Sequence, residues 1–276
     1  MSGPAIDPDA FGAFEEAGWD EQADGYHRFF GPITARAIGP LLDAAAVARG
    51  TRVLDVATGP GYLAAACAAR GAVAVGVDVA REMVALAARL NPELEFIQAD
   101  AERLPFDDES FDAVLGSLAV PHFGRPERAA AELARVLAPD GWLGLSMWDL
   151  PGRNRVLGIL IDAVAEVGPT PVPGIPAGPP IFRFSDDAEL AGLLTGAGLA
   201  DVTVATVSFT HRVGGVRELW EGLLGGTVRS RALLLGQSQE VRSRIRAVFD
   251  RLAGEYADGD GLELPVSFKV ASGRKA

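Results

Sequence analysis

The sequence has few residues of several types, and each shortage excludes a class of function. Cys67 is the only cysteine in 276 residues, so an internal disulfide and a cysteine metal cluster are both excluded. Lysine occurs only at positions 269 and 275, and the formal net charge is −12. Because surfaces that hold nucleic acid neutralise phosphates with Lys and Arg, this balance argues against a nucleic-acid partner, although a local basic patch is not excluded.

Long apolar runs are also missing. No run reaches about 18 residues, the length that suggests a membrane span. The first twenty residues carry acidic side chains and lack a basic stretch followed by an apolar one, so we expect no signal peptide. We therefore predict a cytoplasmic protein without a membrane partner, acting as a monomer or homodimer. Abundant Ala, Gly, Arg and Leu beside only two lysines is typical of a GC-rich bacterial genome.

Short apolar runs alternate with helical segments from residue 52 onward. Strands that are apolar throughout, separated by helices of about 10–15 residues, are typical of βαβ units and of a parallel sheet covered on both faces. The runs predict seven strands, at residues 52–57, 73–77, 94–98, 112–117, 142–148, 202–210 and 263–270. The predicted fold is α/β, a doubly wound, seven-stranded, mostly parallel sheet with a helical cap.

Three features follow consecutive strands of this predicted sheet. The segment VLDVATGPG (residues 53–61) turns from a buried strand into a helix, where glycines allow close backbone approach and the helix offers free N–H groups. It matches neither the G-x-G-x-x-G dinucleotide motif nor a phosphate loop. Asp78 ends the second strand, and Asp100 follows the third. Because open α/β sheets bind ligands at the carboxyl edge, a turn and two acids there predict a nucleoside site.

With these segments in order, the sequence resembles a class I S-adenosylmethionine-dependent methyltransferase. It is similar to the broad group that contains ubiquinone/menaquinone C-methyltransferases and many natural-product methyltransferases. The matching segments cover roughly residues 50–148: they are residues 53–61, VGVD (75–78), QADAERLPF (98–106), FDAV (111–114) and ELARVLAPDG (132–141). The resemblance implies S-adenosyl-L-methionine as cofactor. No cluster of His, Cys and carboxylate residues has the spacing of a metal site, so we expect no metal.

The resemblance also implies roles for the residues around the methionine part of the cofactor. Asp55 would support the turn and the methionine amino group, while Ala57, Gly59 and Gly61 would lie against the methionine. Ala57 departs from the family, which usually has glycine there, and this puts the contact geometry in doubt. Ser117 and Leu118, after the fourth strand, would face the methionine end.

The adenosine part has a second set of implied contacts. Asp78 would accept hydrogen bonds from the ribose hydroxyls. Val79 and Met83 would flank the adenine. Asp100 would accept a hydrogen bond from the adenine amino group, and Ala101 would contribute backbone atoms.

We divide the single domain of residues 1–276 by these expected roles. Residues 1–47 form a helical lid that Gly31 and Pro32 break in two, and Tyr26 is the candidate for an aromatic residue that closes over the cofactor. Residues 48–150 form the cofactor-binding core. Residues 151–260 supply substrate-side insertions and helices around the sixth strand, including an irregular flap at 168–180 and a helix capped by Ser185. Residues 261–276 form the closing strand.

Methyl transfer to oxygen or nitrogen often requires a base, usually His, Asp or Glu. Three histidines are present. His122 follows the fourth strand at the rim where substrate and methyl donor are expected to meet, and His27 stands beside Tyr26 on the lid; both are candidate bases. His211 ends the predicted sixth strand and is a weaker candidate. Each also has a purely structural interpretation.

The predicted substrate class rests on a motif missing after the fourth strand and on the apolar composition of two segments. The fourth strand ends in SLAV (117–120) instead of the Asn/Asp-Pro-Pro-aromatic tetrad of enzymes that methylate amino groups of nucleic acids or protein glutamine. Segments 151–185 and 212–260 are apolar and placed to roof the sheet, which suits a small, largely apolar metabolite. The arginines of the C-terminal helices are expected on a solvated face: these are Arg229, Arg231, Arg242, Arg244 and Arg246.

We therefore predict O- or C-methylation of a small metabolite in specialised metabolism. Two alternatives stay open on the sequence alone. The chain could bind the same cofactor while catalysing a pericyclic or decarboxylative step, because the cofactor motifs would survive that change. Less favoured is an RNA or protein methyltransferase.

Overall fold

A computed structural model describes residues 6–276 of the chain, so the first five residues of the predicted lid lie outside the described part. The sheet has the seven predicted strands and one more strand of two residues. In chain order the strands are β1 Arg52–Val56, β2 Val73–Asp78, β3 Glu95–Gln98, β4 Phe111–Ser117, β5 Leu137–Trp148, β6 Leu199–Val213, β7 Ala257–Asp258 and β8 Gly261–Lys275.

The strand order is β3-β2-β1-β4-β5-β8-β6, with β7 paired to β8. Strands β1 to β5 are mutually parallel, whereas β8 runs antiparallel to both of its long neighbours, β5 and β6. The prediction of a doubly wound, mostly parallel sheet is confirmed. Since the chain leaves β1 in one direction across the sheet and returns to β4 on its other side, a crevice opens at the carboxyl ends of these strands.

Ten helices surround the sheet in the described part of the chain. They are α1 Pro8–Phe29, α2 Gly31–Ala44, α3 Tyr62–Ala69, α4 Arg81–Leu90, α5 Pro126–Val136, α6 Arg155–Val167, α7 Asp187–Gly196, α8 Val216–Gly226, α9 Arg229–Leu235 and α10 Gln239–Gly254. The break at Gly31 is confirmed, and the segment between α6 and residue 183 has no helix or strand. Neither α9 nor β7 is predicted by the sequence, because both are short. In residues 6–276 no helix combines the length and apolarity needed to cross a bilayer.

The central strands bury side chains on both faces, which explains why they are apolar throughout. Leu54 of β1 and Val114 of β4 face one core cluster together with α5 and α7. Their neighbours Val53 and Ala113 face a second cluster with α2 and α3. Successive side chains of a strand point to opposite faces, so a strand covered on both sides has no polar face to show in its sequence.

Strands β6 and β8 are longer than the sequence predicts. They pair along almost their whole length, from Leu199 with Lys275 to Val213 with Leu262. Polar residues interrupt the apolar pattern of β8, yet they are buried and bonded across to β6: Ser267 Oγ lies 3.1 Å from Ser208 Oγ, and Lys269 Nζ donates to Thr206 Oγ1 at 2.9 Å. Such cross-strand bonds remove the cost of burying polar atoms.

The capping prediction for α7 is wrong by one residue. Asp186, not Ser185, is the N-cap, and its Oδ1 accepts from the N–H groups of Ala188 and Glu189 at 2.9 and 3.0 Å. Ser185 is buried and donates its hydroxyl to the carbonyl of Trp148 at 2.6 Å. Both residue types cap helices well, and the buried carbonyl at the end of β5 decides between them.

Candidate functional site

The turn between β1 and α3 adopts a left-handed backbone at three of its residues. The φ angles are +53° at Ala57, +51° at Gly59 and +82° at Gly61. Glycine adopts this region without penalty, whereas an L side chain costs on the order of 1 kcal/mol there. Ala57 therefore takes a left-handed conformation that glycine would adopt more easily, and stores some strain in doing so. A Cβ at Gly59 would meet no protein atom within 4 Å, so this part of the turn is open to a ligand.

Asp55, the penultimate residue of β1, has a buried carboxyl group that supports the turn. Its Oδ2 accepts the Thr58 hydroxyl at 2.6 Å and the Ala64 N–H, in the first turn of α3, at 3.0 Å. Burial raises the pKa of Asp55 to about 7, and these two hydrogen bonds oppose the rise only in part. Asp55 also lines the cavity described below. A carboxyl group with this pKa takes up or releases a proton easily near neutral pH.

Asp78 joins the end of β2 to the same turn. Its Oδ2 accepts the Gly59 N–H at 2.9 Å, and its Oδ1 accepts the Ala80 N–H at 3.0 Å. Burial raises the pKa of Asp78 to about 6, against the effect of these backbone donors. Asp100, after β3, is exposed and accepts the N–H of Glu102 at 2.8 Å. The three acids thus stand at the carboxyl ends of three neighbouring strands.

One cavity of about 410 Å³ lies along this edge of the sheet. Its volume is within the range typical of small-molecule sites, about 300–1,000 Å³. Most of the residues predicted to touch the cofactor line it: Tyr26, Asp55, Ala57, Gly59, Asp78, Val79, Met83, Asp100, Ala101, Ser117 and Leu118. Gly61 does not line it and serves as the N-cap of α3. A Cβ at Gly61 would lie 2.8 Å from Asn91 Nδ2, so packing also requires glycine there.

The three histidines lie in different surroundings. His122, in a short 3₁₀ turn after β4, lines the cavity. His27 does not; its Nδ1 bonds to the hydroxyl of Tyr62 between α1 and α3. His211 lies within β6, paired with Leu264 and away from the cavity, and burial lowers its pKa. Of the candidate bases, the structure brings only His122 to the predicted cofactor residues.

Helix α1 covers the cavity with aromatic side chains. The Tyr26 ring packs edge-on against Trp19, with centroids 5.4 Å apart, and is stacked with Phe30 at 5.7 Å. Burial raises the pKa of the Tyr26 phenol to about 12, so it stays neutral. Asp20 ties the helix to the core, because its Oδ1 accepts the Glu82 N–H of α4 at 2.9 Å.

An ionic cluster around the buried Glu15 also lines the cavity. The sequence does not predict it. Glu15 of α1 is 2% exposed, and three side chains donate to it. His122 Nδ1 lies 2.7 Å from Oε2, Trp19 Nε1 lies 3.2 Å from Oε2, and Arg229 Nε lies 2.9 Å from Oε1. Helical spacing from Phe11 through Trp19 to Tyr26 places Glu15 on the buried face, and this is the signal that would have revealed it.

The expectation that Arg229 faces solvent is wrong. Its guanidinium lies over the Phe11 ring, 4.4 Å from the centroid, and donates to the carbonyls of Pro179 at 2.9 Å and of Pro121. Arg229 thereby joins α1, the irregular segment after α6 and the turn that carries His122. Arg244, on α10, is exposed as expected.

The far wall of the cavity is apolar. Phe30, Leu118, Trp148 and Leu157 line it and belong to one buried cluster with α6, α8 and α10. Leu118 is 5% exposed and has a φ of +60°, a strained conformation that the surrounding packing holds in place. No group of three or more His, Cys, Asp or Glu within residues 6–276 is arranged to hold a metal ion.

The residues at the sheet edge fit S-adenosylmethionine. The left-handed turn is open at Gly59, and the carboxyl of Asp55, which also lines the cavity, is an acceptor suited to an ammonium group. Asp78 lies at the end of β2, where α/β folds bind the hydroxyl donors of a ribose. The cavity volume suits a ligand of this size. The donors and acceptors present therefore match the chemistry of the cofactor.

Comparisons with known proteins agree with this fit. A family model described as a methyltransferase domain matches residues 54–145. The chain is 28% identical to an uncharacterized protein of Mycobacterium tuberculosis over 94% of both chains. It is 31% identical to a demethylmenaquinone methyltransferase of Paenarthrobacter aurescens, over 61% of this chain and 70% of that one.

A solved structure shares the fold. It is phosphoethanolamine N-methyltransferase 2 of Haemonchus contortus in complex with S-adenosyl-L-methionine, which superposes with a TM-score of 0.56 at 19% identity, over 93% of this chain and 57% of that one. The strand order, the cofactor-compatible edge and these similarities point to one family. The chain belongs to the class I S-adenosylmethionine-dependent methyltransferases, and S-adenosylmethionine is its cofactor.

Proposed function

We propose that this enzyme methylates an oxygen or carbon atom of a small, largely apolar metabolite in specialised metabolism. The observation that carries the proposal is the composition of the cavity beyond the cofactor residues. There the apolar lining residues are Phe30, Trp148, Leu157, Ile181 and Val228, beside fewer polar ones such as Thr34 and Thr227. Such an apolar surface binds an apolar molecule by burying its surface. We further propose that the enzyme is bacterial and cytoplasmic, that it is a monomer or homodimer, and that it has no nucleic-acid partner.

The residues of the turn and of β4 would hold the methionine part of the cofactor. Asp55 would accept from its ammonium group, with Ala57 and Gly59 against its chain and Gly61 setting the start of α3. Ser117, whose Oγ lies 3.0 Å from Ser146 Oγ, would face the methionine end together with Leu118. The bound cofactor supplies an electrophilic methyl group on a sulfonium.

The acids of β2 and β3 would hold the adenosine part. Asp78 would accept from the ribose hydroxyls and Asp100 from the adenine amino group, with Ala101 offering backbone atoms. Val79 and the buried Met83 would flank the adenine. We propose that α1 acts as a lid, closing over the cofactor with Tyr26 and excluding water, which favours displacement at the methyl carbon.

One relative supports an apolar acceptor. The Paenarthrobacter protein is named for demethylmenaquinone, a quinone, and the similarity covers 61% of this chain. The Haemonchus protein acts on phosphoethanolamine by its name, and the apolar wall described above is less suited to such a polar acceptor.

Cofactor affinity is expected to rise with pH between about 5.5 and 7.5. Asp55 and Asp78 have pKa values of about 7 and 6 in the folded protein, so at low pH both are largely protonated. Binding to an ammonium group and to hydroxyl donors favours the ionised carboxylates, so binding releases protons below these pKa values, and the dissociation constant falls as pH rises, by at most about tenfold per pH unit for each group.

Calorimetry in buffers of different ionisation enthalpy measures this proton release directly. Asp55→Asn removes one titrating carboxyl while keeping an acceptor for Thr58, so its affinity is expected to vary less with pH. A dissociation constant that does not change from pH 5.5 to 7.5 in the unmodified protein would contradict the assigned contacts.

The substrate class is tested by incubating the protein with S-adenosylmethionine carrying a labelled methyl group and a panel of phenols, quinones and polyketides. We expect a labelled product heavier by one methylene unit and an equal amount of S-adenosylhomocysteine. A converted product without label and with intact cofactor would show a non-methylating reaction instead. Methylation of RNA, accompanied by strongly salt-dependent binding, would replace the small-molecule proposal.

A further inference from the structure

The contact between His122 and Glu15 joins the rim of the sheet to the lid. His122 Nδ1 lies 2.7 Å from Glu15 Oε2, and Trp19 packs edge-on against the imidazole with centroids 5.0 Å apart. The ring is therefore held on two sides by α1. It also lines the cavity, and no protein group among residues 6–276 hydrogen-bonds to Nε2.

The chemistry of Glu15 determines which imidazole nitrogen carries a hydrogen. Burial raises the pKa of Glu15, but the charges and hydrogen bonds of His122 and Arg229 outweigh it, and the net pKa lies below the ordinary value. Arg229 Nε lies 2.9 Å from Oε1 and balances Glu15 also when the imidazole is neutral, so Glu15 is a carboxylate, which accepts hydrogen bonds and donates none. The neutral imidazole must then keep its hydrogen on Nδ1, which leaves a lone pair on Nε2.

We propose that Glu15 is a positioning residue that holds His122 as the base for methyl transfer, with Nε2 directed to the hydroxyl of the acceptor. This inference rests on the proposed function, because it requires an acceptor whose oxygen, or whose ring carbon conjugated with that oxygen, becomes nucleophilic on losing a proton. The base is complete only when α1 is docked, so deprotonation is coupled to closure of the lid.

The proposed step balances in atoms and charge. Nε2 of His122 takes the hydroxyl proton, and the oxygen or conjugated carbon uses its electron pair to form the bond to the methyl carbon. The electron pair of the broken carbon–sulfur bond stays on sulfur, so S-adenosylhomocysteine and the methylated product form together. The imidazolium, stabilised by Glu15, then returns its proton to solvent when the lid opens.

Two charged side chains from other elements, Arg229 and Asp78, influence the His122–Glu15 pair. Arg229 of α9 donates to the second oxygen of Glu15 at 2.9 Å and balances its charge. Asp78 at the end of β2 interacts electrostatically with His122. Glu15 is therefore not an isolated buried charge. The imidazolium that forms during the step has two acidic side chains, Glu15 and Asp78, to stabilise it.

The test compares two acceptors of similar shape, one phenol that is neutral at the assay pH and one, carrying an electron-withdrawing substituent, that is already ionised. For Glu15→Gln and His122→Gln we expect kcat to fall by about 100-fold or more with the neutral phenol, as for loss of a general base. With the ionised phenol we expect a fall of less than about tenfold, because no proton has to be removed. The KM for S-adenosylmethionine is expected to change little.

Asp20→Ala is the matched control, because it removes the acceptor of the Glu82 N–H that docks α1 against the core. Asp20 lies on the same helix as Glu15 but does not hydrogen-bond to His122. If Glu15 only secures the lid, its replacement should act like Asp20→Ala and slow both phenols by the same factor, and this result would overturn the inference.

A second measurement does not depend on activity. The protein has three histidines, so ¹⁵N spectra of the imidazoles are simple to assign with single His→Gln variants. We expect His122 to show the Nδ1–H tautomer, and Glu15→Gln to populate the other tautomer. If no phenol is methylated but this change is seen, the proposed substrate class fails while the positioning role stands; an Nε2–H tautomer in the unmodified protein overturns it.

Discussion

Asp78→Ala is expected to raise the dissociation constant for S-adenosylmethionine by about 10- to 100-fold, the loss typical of hydrogen bonds to a charged group. Two effects add. The ribose hydroxyls lose their acceptor, and the Gly59 N–H loses the carboxylate that holds the turn at 2.9 Å. Calorimetry at pH 8, above the pKa of about 6, measures the effect with the unmodified carboxyl ionised.

Two variants separate these effects. Asp78→Asn keeps an acceptor oxygen for one backbone N–H but turns its amide donor towards the other, so it is expected to fall between the alanine variant and the unmodified protein. Asp100→Ala removes an exposed acid of the same cavity, and its expected loss is below about tenfold. Equal affinity of Asp78→Ala and the unmodified protein would overturn the ribose assignment.

Arg229→Ala is expected to lower the free energy of unfolding by about 3 kcal/mol, because it leaves the buried carboxylate of Glu15 without its arginine partner. Glu15 is 2% exposed, and Arg229 also bonds two carbonyls from separate segments. Arg229→Met keeps an apolar stem over Phe11 and removes the charge, so most of the loss should persist. Urea unfolding at pH 7 measures each variant.

The control is a surface arginine whose ion pairs have similar N···O distances. Arg212 contacts Asp258 and Asp260 at 2.9 and 2.6 Å but is half exposed, so Arg212→Ala is expected to cost less than about 1 kcal/mol. Adding Glu15→Gln to Arg229→Ala should recover part of the lost stability, because the uncompensated charge disappears. Strictly additive losses in this double mutant would contradict the buried-pair argument.

The strand and helix alternation could be predicted because it depends on local spacing. Each central strand is an apolar run ended by a turn, as at Val56 and Asp78. The prediction failed where tertiary contacts replace the local pattern. Strand β8 is long because it lies between β5 and β6, which bond its buried serines and Lys269. Its sequence alone does not show these partners.

The cofactor edge could be predicted for a related reason. Asp55, Asp78 and Asp100 each follow a recognisable strand, and parallel strands bring their carboxyl ends to one edge of the sheet. Ala57 is an instructive exception: its sequence suggests altered geometry, yet the backbone reaches a φ of +53°. The surrounding turn, including the carboxylate of Asp55, holds it there.

The ionic cluster of Glu15, His122 and Arg229 could not be predicted in this way. Glu15 and His122 are 107 residues apart, and Glu15 and Arg229 are 214 apart. Local periodicity puts Glu15 on the buried face of a helix, but it says nothing about what that face meets. Composition, strand order and the acids at the strand ends follow from short-range pattern and from the geometry of parallel sheets. The orientation of His122 and the pairing of Arg229 with the buried Glu15 arise only when α1, α9 and the turn after β4 pack together, because a buried charge is stable only where other segments supply its partners.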